Sequence, residues 1–357
     1  RIIRINGDGT VRVIYDGTSA HANGEDSTDR QIGKSPFNKY WKKDNVQETT
    51  NSYIHYDNAG VGYMYGNRDG IAEPQSYHSS SSNFTNTSTF YIAKEYTFDE
   101  STKTFTLKNP ITVLGSDMIT DYIGYYYTGN TSTGDLSGID TLYKIIGITA
   151  GNTSTTVRYG YVRYGTSSKE VAQTNTNDST IKTYLDNWYK TNILGTENEQ
   201  YLADNIFCND RSLSSGTSGA GAGQNITYYN WYDMSLASKK VNLKCIQKND
   251  AFTVSNITNG NGALTYPIGL ITTDEAVLAG GSSINSNYYL YSGSSYWTFS
   301  PNYFNGSSVS MCVVSDSGDA GSSCTVNSHF GSVRPVLNLS PDVLNNGDGS
   351  MNDPYHL

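Results

Sequence analysis

The sequence has little charge and few apolar residues, and both shortages argue against common classes of protein. Only 16% of its 357 residues are charged and 36% are hydrophobic. No apolar run approaches the roughly 20 residues that a bilayer-spanning helix needs. The net charge of −9 argues against the basic face that binds nucleic-acid phosphates. We therefore expect neither nucleic-acid binding nor membrane contact by this segment.

Metal-binding and catalytic patterns are also missing. The five histidines and four cysteines show no ligand spacing and no CxxC pair. There is no G-x-S-x-G elbow and no phosphate-binding loop, and no paired acidic motif of a glycan hydrolase stands on a defined strand. The nearest thing to a catalytic cluster is Asn209-Asp210-Arg211, which we interpret as an Arg–Asp pair bracing a loop. We expect no metal, no cofactor and no enzymatic activity.

An even number of cysteines is compatible with one or two disulfides, and equally with reduced thiols in the core. Cys208 follows Ile206-Phe207, and Leu243 lies close to Cys245. Because these apolar neighbours should face inward, we predict that Cys208 and Cys245 lie together and form a disulfide.

What the sequence does contain is tyrosine, 30 residues of it, together with abundant Ser, Gly, Asn and Thr. This mixture is typical of surfaces that bind through stiff aromatic side chains and adaptable polar groups. It is equally typical of a β-rich extracellular protein, since strands favour Tyr and Thr. Composition leaves both interpretations open.

The N-terminal part of the chain has the pattern of short strands and turns. Residues 1–17 alternate apolar and polar side chains around Asn6-Gly7-Asp8-Gly9, which predicts a β-hairpin. A similar Gly-Asp-Gly turn occurs at 345–354, and neither has the spacing of an EF-hand calcium loop. We place a domain boundary in the loop-rich stretch near residues 110–135, which gives a β-rich region at 1–125 and a second domain at 126–357.

The second domain mixes strands with two predicted helices. One helix begins at a cap on Asp178 or Ser179 and places Ile181, Leu185 and Trp188 on one face, which we expect to pack on a sheet containing 142–148. The other lies in TTDEAVLAGG, with Thr273 as its expected N-cap. Few helices, long loops and small sheets indicate an α+β domain.

Several segments resemble the landmarks of a bacterial surface protein family of unknown function that has a C-type-lectin-like fold. They are LYKIIGI, STIKTYLDNWY, FCNDRS, YPIGLITTDEAVLAG, YWTFSP and GSVRPVLNL, which occur in that order between residues 142 and 339. The resemblance implies an α+β, C-type-lectin-like domain of two helices, small antiparallel sheets and long loops. The calcium-binding motifs of sugar-binding C-type lectins are not present, so calcium-dependent glycan binding is not expected.

The wider fold includes the variable proteins of diversity-generating retroelements, in which adenine-directed mutagenesis rewrites the last segment of the gene. Residues 306–337 contain no Lys, Glu, Gln or Trp, which agrees with that chemistry except at Met311. The resemblance therefore implies a variable binding face between Trp297 and Pro335. Its expected exposed ligand-binding residues are Tyr303, Asn305, Ser307, Ser310, Cys312, Ser315, Ser323, Cys324, Asn327 and His329. Within it, Cys312 and Cys324 either pair with each other or arise from variation. We interpret Trp188 and Trp297 as core residues and Arg334 as structural. For Trp231, a core role and a ligand-platform role both stay open.

The functional expectation is a non-enzymatic, extracellular binding protein at the surface of a bacterium or phage. Its partner would be a macromolecular ligand, protein or glycan, on another cell or phage. No signal-peptide pattern occurs at residue 1, so a signal or anchor is expected outside this segment. The alternative is a structural or adhesive surface or pilus subunit with no diversified site.

Overall fold

The chain folds mainly into β-sheet. A computed structural model describes residues 1–39, 57–74, 80–117, 124–127, 139, 141–215, 219–231, 241–306, 308–345, 347–348, 350 and 352–353. The strands are β1 (Ile2–Ile5), β2 (Val11–Ile14), β3 (Met64–Tyr65), β4 (Gly70–Ala72), β5 (Ser80–Thr85), β6 (Thr89–Ala93), β7 (Glu95–Asp99), β8 (Thr104–Lys108), β9 (Ile111–Leu114), β10 (Tyr125–Tyr127), β11 (Thr141–Ala150), β12 (Ser154–Gly165), β13 (Asn177–Asp178), β14 (Phe207–Cys208), β15 (Thr227–Tyr228), β16 (Ala251–Phe252), β17 (Tyr296–Phe304), β18 (Val309–Val314), β19 (Ser322–Thr325) and β20 (Val336–Leu339). The α-helices of these residues are α1 (Lys169–Ala172), α2 (Thr180–Asn192) and α3 (Thr273–Leu278).

The predicted fold class, an α+β, C-type-lectin-like domain built on two helices, is wrong. Strands make up 34% of the structure and helices 15%, and among the helices of the described residues only α2 is longer than two turns. The helix predicted in TTDEAVLAGG forms, but Gly280 and Gly281 follow it at once and it has only six residues. A chain rich in Tyr, Thr, Ser and Gly has weak helix propensity, and its apolar residues lie in strands instead.

Both predicted helices begin close to their expected caps. Ser179 caps α2 by accepting a hydrogen bond from the Lys182 amide. The cap of α3 is Thr272 rather than Thr273, and it forms a reciprocal capping box with Glu275. In each helix, a side-chain oxygen of the capping residue accepts a hydrogen bond from a backbone amide of the first turn. The local sequence signals were therefore correct to within one residue.

The buried face of α2 differs from the prediction. Ile181, Leu185 and Tyr189 are buried, whereas Trp188 is half-buried and meets Tyr15 edge-to-face at 5.8 Å. This face joins the main hydrophobic core, which also holds Phe37 and residues of β17 and β18. The predicted packing of α2 on the sheet containing 142–148 is wrong, because that sheet buries its apolar residues in two separate clusters.

The largest sheet has seven strands and runs across the predicted boundary at residue 125. Its hydrogen-bonded order is β4-β12-β11-β10-β6-β9, and β5 also pairs with β12. Beyond β9, the amide of Gly115 donates to Ser88 and the hydroxyl of Thr155 donates to Gly115, so the sheet curls back toward β5. One cluster, including Phe90 and Ile145, lies on one face of the sheet. The other lies beneath the β7–β8 hairpin.

The predicted N-terminal hairpin forms, and it joins the C-terminal end of the chain. β1 and β2 are antiparallel, and in the connecting turn the Gly9 amide donates to Asn6 at 3.0 Å. Gly9 has a φ of +87°, which glycine adopts without strain. β2 then pairs with β20, in register from Val11 opposite Leu339 to Ile14 opposite Val336. The first and last strands therefore belong to one three-stranded sheet.

Trp297 anchors the C-terminal sheet, in which β15, β17, β18 and β19 are hydrogen-bonded in that order. Its side chain is fully buried, and its indole nitrogen donates to the Ser35 carbonyl at 2.7 Å. Gly331 packs directly on the ring, where a Cβ atom would lie 2.2 Å from the indole nitrogen. Arg334 is buried and donates to the Leu290 carbonyl and to Asp16, each at 2.6 Å. The core role predicted for Trp297 and the structural role predicted for Arg334 are both confirmed.

Cys208 and Cys245 form the predicted disulfide. Their Cα atoms are 5.6 Å apart, and the bond closes a loop over a sequence separation of 37 residues. Cys208 ends β14, whereas Cys245 lies in an irregular segment flanked by the exposed side chains of Lys244 and Ile246. The disulfide thus ties a loosely packed segment to a strand of the core.

His21 fastens the loop after β2 through two carboxylates. Its Nδ1 lies 2.7 Å from Glu25 and its Nε2 lies 3.0 Å from Asp29. These contacts raise the pKa of His21, with the hydrogen bond to Glu25 as the largest cause. The imidazolium is therefore the form that the folded loop favours.

We expect Leu185→Ala to lower the free energy of unfolding by about 2–5 kcal/mol, because the side chain is fully buried in the main core. Trp188→Ala should cost clearly less, since the indole is only half-buried. Chemical denaturation measures both, with the exposed Asn187→Ala as control. A larger loss for Trp188→Ala than for Leu185→Ala would contradict the assignment of the buried face.

Replacing the disulfide by Cys208→Ser/Cys245→Ser should lower the free energy of unfolding by about 3–4 kcal/mol, because the unfolded chain regains the entropy of a loop of this length. Cys324→Ser is the control, since Cys324 is not in a disulfide. Equal unfolding midpoints for the double variant and the wild type would refute this contribution.

The contribution of His21 to stability should depend on pH. Since the folded state raises its pKa above the ordinary value of 6.5, the stabilisation is complete below pH about 6.5 and is lost as pH rises through the folded-state pKa. His21→Gln should be less stable than the wild type at pH 5, and the gap should narrow toward pH 9. Thermal unfolding across this range measures the difference, and a gap that is constant with pH would show that His21 acts only by packing.

Candidate ligand-binding site

The predicted ligand-binding residues occupy β17, β18, β19 and their connections, but they are not uniformly exposed. Among those that the structure describes, three are exposed, four are half-buried and two are buried; Ser307 lies outside the described residues. The exposed ones are Asn305, Ser323 and His329, the half-buried ones are Tyr303, Ser315, Cys324 and Asn327, and the buried ones are Ser310 and Cys312.

One row of side chains crosses the whole C-terminal sheet. Tyr228 of β15 is paired with Tyr303 of β17, which is paired with Ser310 of β18, which is paired with Thr325 of β19. Directly paired residues place their side chains on the same face of a sheet. Tyr228, Tyr303 and Thr325 are half-exposed, and the smaller Ser310 is buried between them. Ser323 lies two residues before Thr325 and shares this face. We call Tyr228, Tyr303, Ser323 and Thr325 the tyrosine face.

The expectation of exposure is wrong for Ser310 and Cys312. Both are 1% exposed, because every residue of β18 is buried and both α3 and the 3-10 turn Asn58–Val61 contact this strand. Composition could not reveal this, since serine and cysteine are small enough to enter a core. The Ser310 hydroxyl has no hydrogen-bond partner within the described residues, which marks a tightly enclosed position.

Cys312 and Cys324 do not form a disulfide with each other. Cys312 is paired with Ser323, and Cys324 is paired with Met311. Because successive residues of a strand point to opposite faces, the two sulfurs lie on opposite sides of the sheet. Cys324 packs against the main core, so it is not part of the tyrosine face.

The remaining predicted positions lie in connections. Ser315 closes the β18–β19 turn by accepting a hydrogen bond from the Asp319 amide, which is a structural role. Asn305 accepts a hydrogen bond from the Ser308 amide in the β17–β18 turn. Asn327 and His329 follow β19 in a loop whose tip, Phe330, is 80% exposed. Asn305, Asn327 and His329 are therefore accessible from solvent.

A second feature is a polar cleft that the sequence did not predict. It has a volume of about 420 Å³ and is enclosed by the N-terminal hairpin turn, the start of α3 and the Cys208–Cys245 disulfide. Asparagines, carboxylates and the indole of Trp231 line it. These residues come from seven separated parts of the chain, so no local motif could have identified them. Trp231, for which the sequence left core and ligand platform open, is 7% exposed and donates to Asp274 at 2.9 Å.

A buried ionic group forms the floor of this cleft. Glu275 is 2% exposed and its Oε1 lies 2.6 Å from Arg12 and 2.9 Å from Arg4. Burial alone would raise the pKa of Glu275, but Arg12 and Arg4 outweigh burial and hold the pKa below its ordinary value. The carboxylate is therefore ionised and committed to the two arginines, which leaves it unsuited to proton transfer.

The Asn209-Asp210-Arg211 segment has the bracing role that the sequence indicated, although its partner lies elsewhere. Arg211 forms a buried ion pair with Asp250 at 2.6 Å and donates to the Met64 carbonyl. Asp210 instead accepts hydrogen bonds from Ser212. The geometry of this segment fixes the loop beneath the cleft.

In the described ranges, no group of three or more His, Cys, Asp or Glu side chains is arranged to hold a metal ion. Over the same residues, no helix has the length and apolar character to cross a membrane.

Comparison with known proteins gives one match. No curated protein and no solved structure matches the chain. A family model, described as a domain of unknown function (DUF6273), matches residues 156–341, which is more than half of the 357 residues. The matched region begins within β12 and includes the C-terminal sheet, the disulfide and most of the cleft, while the N-terminal hairpin lies outside it. The chain therefore belongs to the DUF6273 family.

Proposed function

We propose that the chain is a non-enzymatic binding protein of a bacterial or phage surface, and that the tyrosine face contacts a macromolecular ligand. The observation that carries this proposal is the row of half-exposed Tyr228, Tyr303 and Thr325 on strands whose other side is core. Phe304 and Val309, which point to that other side, are fully buried. The face is thus held rigidly before any ligand arrives.

Rigid tyrosines suit a binding surface because they offer a large contact area at a small cost in conformational entropy. Each phenol also presents an apolar ring and a hydrogen-bonding hydroxyl. Small polar neighbours such as Ser323 and Asn305 add hydrogen bonds without blocking the rings. This combination supports recognition of a protein or glycan surface.

The Cys208–Cys245 disulfide supports the proposed extracellular location. Disulfides persist in oxidising compartments and are rare in reducing ones. The net charge of −9 and the polar surface composition are consistent with that setting.

Any diversification of the C-terminal segment would be confined to part of it. Asn305, Ser323 and His329 are exposed and tolerate replacement without loss of packing. Ser310 and Cys312 are buried within β18 and cannot vary freely in size. We therefore propose that a variable face, if the gene is diversified, comprises the exposed positions together with Tyr303 and Asn327.

The structural-subunit alternative is favoured by one observation. β19 is the outer strand of its sheet and, over the described residues, pairs only with β18. An outer strand offers unpaired backbone groups to a strand from another chain. Self-association measured by analytical ultracentrifugation separates this alternative, since a pilus or adhesive subunit should assemble through that edge.

Binding of the fluorescently labelled chain to intact bacterial and mammalian cells tests the proposal. Tyr228→Ala/Tyr303→Ala should reduce saturable binding by about tenfold or more, since buried tyrosines at an interface centre contribute strongly. Tyr289→Ala is the matched control, because Tyr289 is 40% exposed and lies in the loop before β17. The unfolding temperature of the double variant should fall by only a few degrees.

Two outcomes would contradict the proposal. One is undiminished cell binding by the double variant. The other is the absence of saturable binding to any cell type tested, which would favour the structural-subunit alternative.

A further inference from the structure

We propose that the polar cleft at the N-terminal hairpin binds a neutral saccharide, at a site separate from the tyrosine face. The cleft volume of about 420 Å³ falls in the range of small-molecule sites, roughly 300–1,000 Å³. Its walls come from the N-terminal hairpin at 4–12, the 205–210 segment, Asn230-Trp231, the 242–245 and 256–259 segments, the start of α3 and Ser300 of β17. The proposal does not rest on the tyrosine face and stands if that face binds nothing.

The charges of the cleft disfavour an anionic ligand. Arg4, Arg12 and Lys244 supply three positive charges, while Asp8, Asp210, Asp274 and Glu275 supply four negative ones, a difference of −1. Arg4 and Arg12 are moreover paired with Glu275. A phosphate or carboxylate ligand would meet a net negative lining with only Lys244 outside an ion pair among the described residues.

The carboxylates are also engaged, which disfavours a cationic ligand. Asp8 accepts hydrogen bonds from Thr10 and Asn205, and Asp210 accepts them from Ser212. Asp274 accepts from the Trp231 indole at 2.9 Å and from the Asn242 amide at 2.8 Å. At least one oxygen of each of these carboxylates already accepts from protein donors, so a cation would compete with existing hydrogen bonds.

What stays available is the amide group. The side chains of Asn230 and Asn259 make no hydrogen bond to any residue that the structure describes, and both line the cleft. The amide oxygen of Asn242 is used by the Lys244 backbone, and no described residue takes its amide hydrogens. Each free carboxamide both donates and accepts, which matches the hydroxyl group. A ligand rich in hydroxyls and without net charge is therefore the class that this lining fits.

The disulfide is what closes the cleft on one side. Within the described residues, the 241–247 segment is held by few other contacts, chiefly Asn242 to Asp274 and Gln247 to Ser212. Leu243 and Ile246 are 41% and 58% exposed, so little apolar burial holds the segment. Cys245 therefore fixes the wall that carries Asn242 and Lys244. A saccharide site at this place requires the oxidised form of the protein.

A glycan array of neutral hexose and N-acetylhexosamine oligosaccharides tests the inference, followed by calorimetric titration of the strongest binder. Asn230→Ala/Asn259→Ala should weaken the Kd by about tenfold or more, since two hydrogen-bonding groups are lost. Asn152→Ala, an exposed asparagine in the β11–β12 turn, is the matched control and should leave the Kd within about twofold.

Further variants separate the site from its scaffold and from the proposed function. Cys208→Ser/Cys245→Ser should weaken the Kd at a temperature where circular dichroism shows it folded. Tyr228→Ala/Tyr303→Ala should bind the saccharide like the wild type, so loss of cell binding in that variant concerns the other site alone. Sialylated oligosaccharides and inorganic phosphate serve as anionic probes.

The inference is overturned if no neutral saccharide binds at concentrations up to about 10 mM, a Kd range beyond which recognition is negligible. It is also overturned if the anionic probes bind more tightly than the neutral ones, or if Asn230→Ala/Asn259→Ala binds as well as Asn152→Ala.

Discussion

A single buried carboxylate, Glu275, ties the N-terminal hairpin to α3. It forms ion pairs with Arg12 of β2 and Arg4 of β1, and it accepts a hydrogen bond from the Thr272 amide to complete the capping box of α3. An ion pair this deeply buried is costly to form, and removing one partner would leave an uncompensated charge in the core. Glu275 therefore links α3 to the N-terminal hairpin, and β2 of that hairpin pairs with β20.

Both candidate sites are built on or beside elements that the Glu275 ion pairs hold in place. The cleft has Glu275 in its floor and the hairpin turn in its rim. The tyrosine face lies on β15, β17 and β19, and Thr273 of α3 forms hydrogen bonds with Ser300 and Thr298 of β17. A binding surface that is ordered in advance loses less entropy when the ligand arrives. The family match begins at residue 156 and does not include the hairpin that supplies Arg4 and Arg12. In this chain, a segment outside the family region therefore completes the cleft.

The sequence predicted those features that depend on neighbours in the chain. The hairpin around Asn6–Gly9, the start of α2 and the core role of Trp297 follow from turn residues, caps and local apolar character. The Cys208–Cys245 pair forms as predicted, although Leu243, which was expected to face inward, is 41% exposed. The predictions failed where contacts between distant segments determine the structure. The large sheet assembles strands from both sides of residue 125, and the cleft draws on seven separated segments. The resemblance to a two-helix fold likewise gave too much weight to the helical pattern in TTDEAVLAGG, where α3 ends after six residues.

The stretch between Trp297 and Pro335 shows why composition is a poor guide to exposure. Small polar residues enter a core when neighbours enclose them, as Ser310 and Cys312 do, and they stay outside when they sit on an outer strand, as Ser323 does. In a sheet, strand register determines whether a side chain is buried, because a shift of one residue moves the side chain to the opposite face. Tyr303 is half-exposed, and it is paired with Tyr228 on one side and with the small Ser310 on the other. The binding face that we propose is therefore a property of strand pairing, and the amino-acid mixture alone could specify neither its members nor its extent.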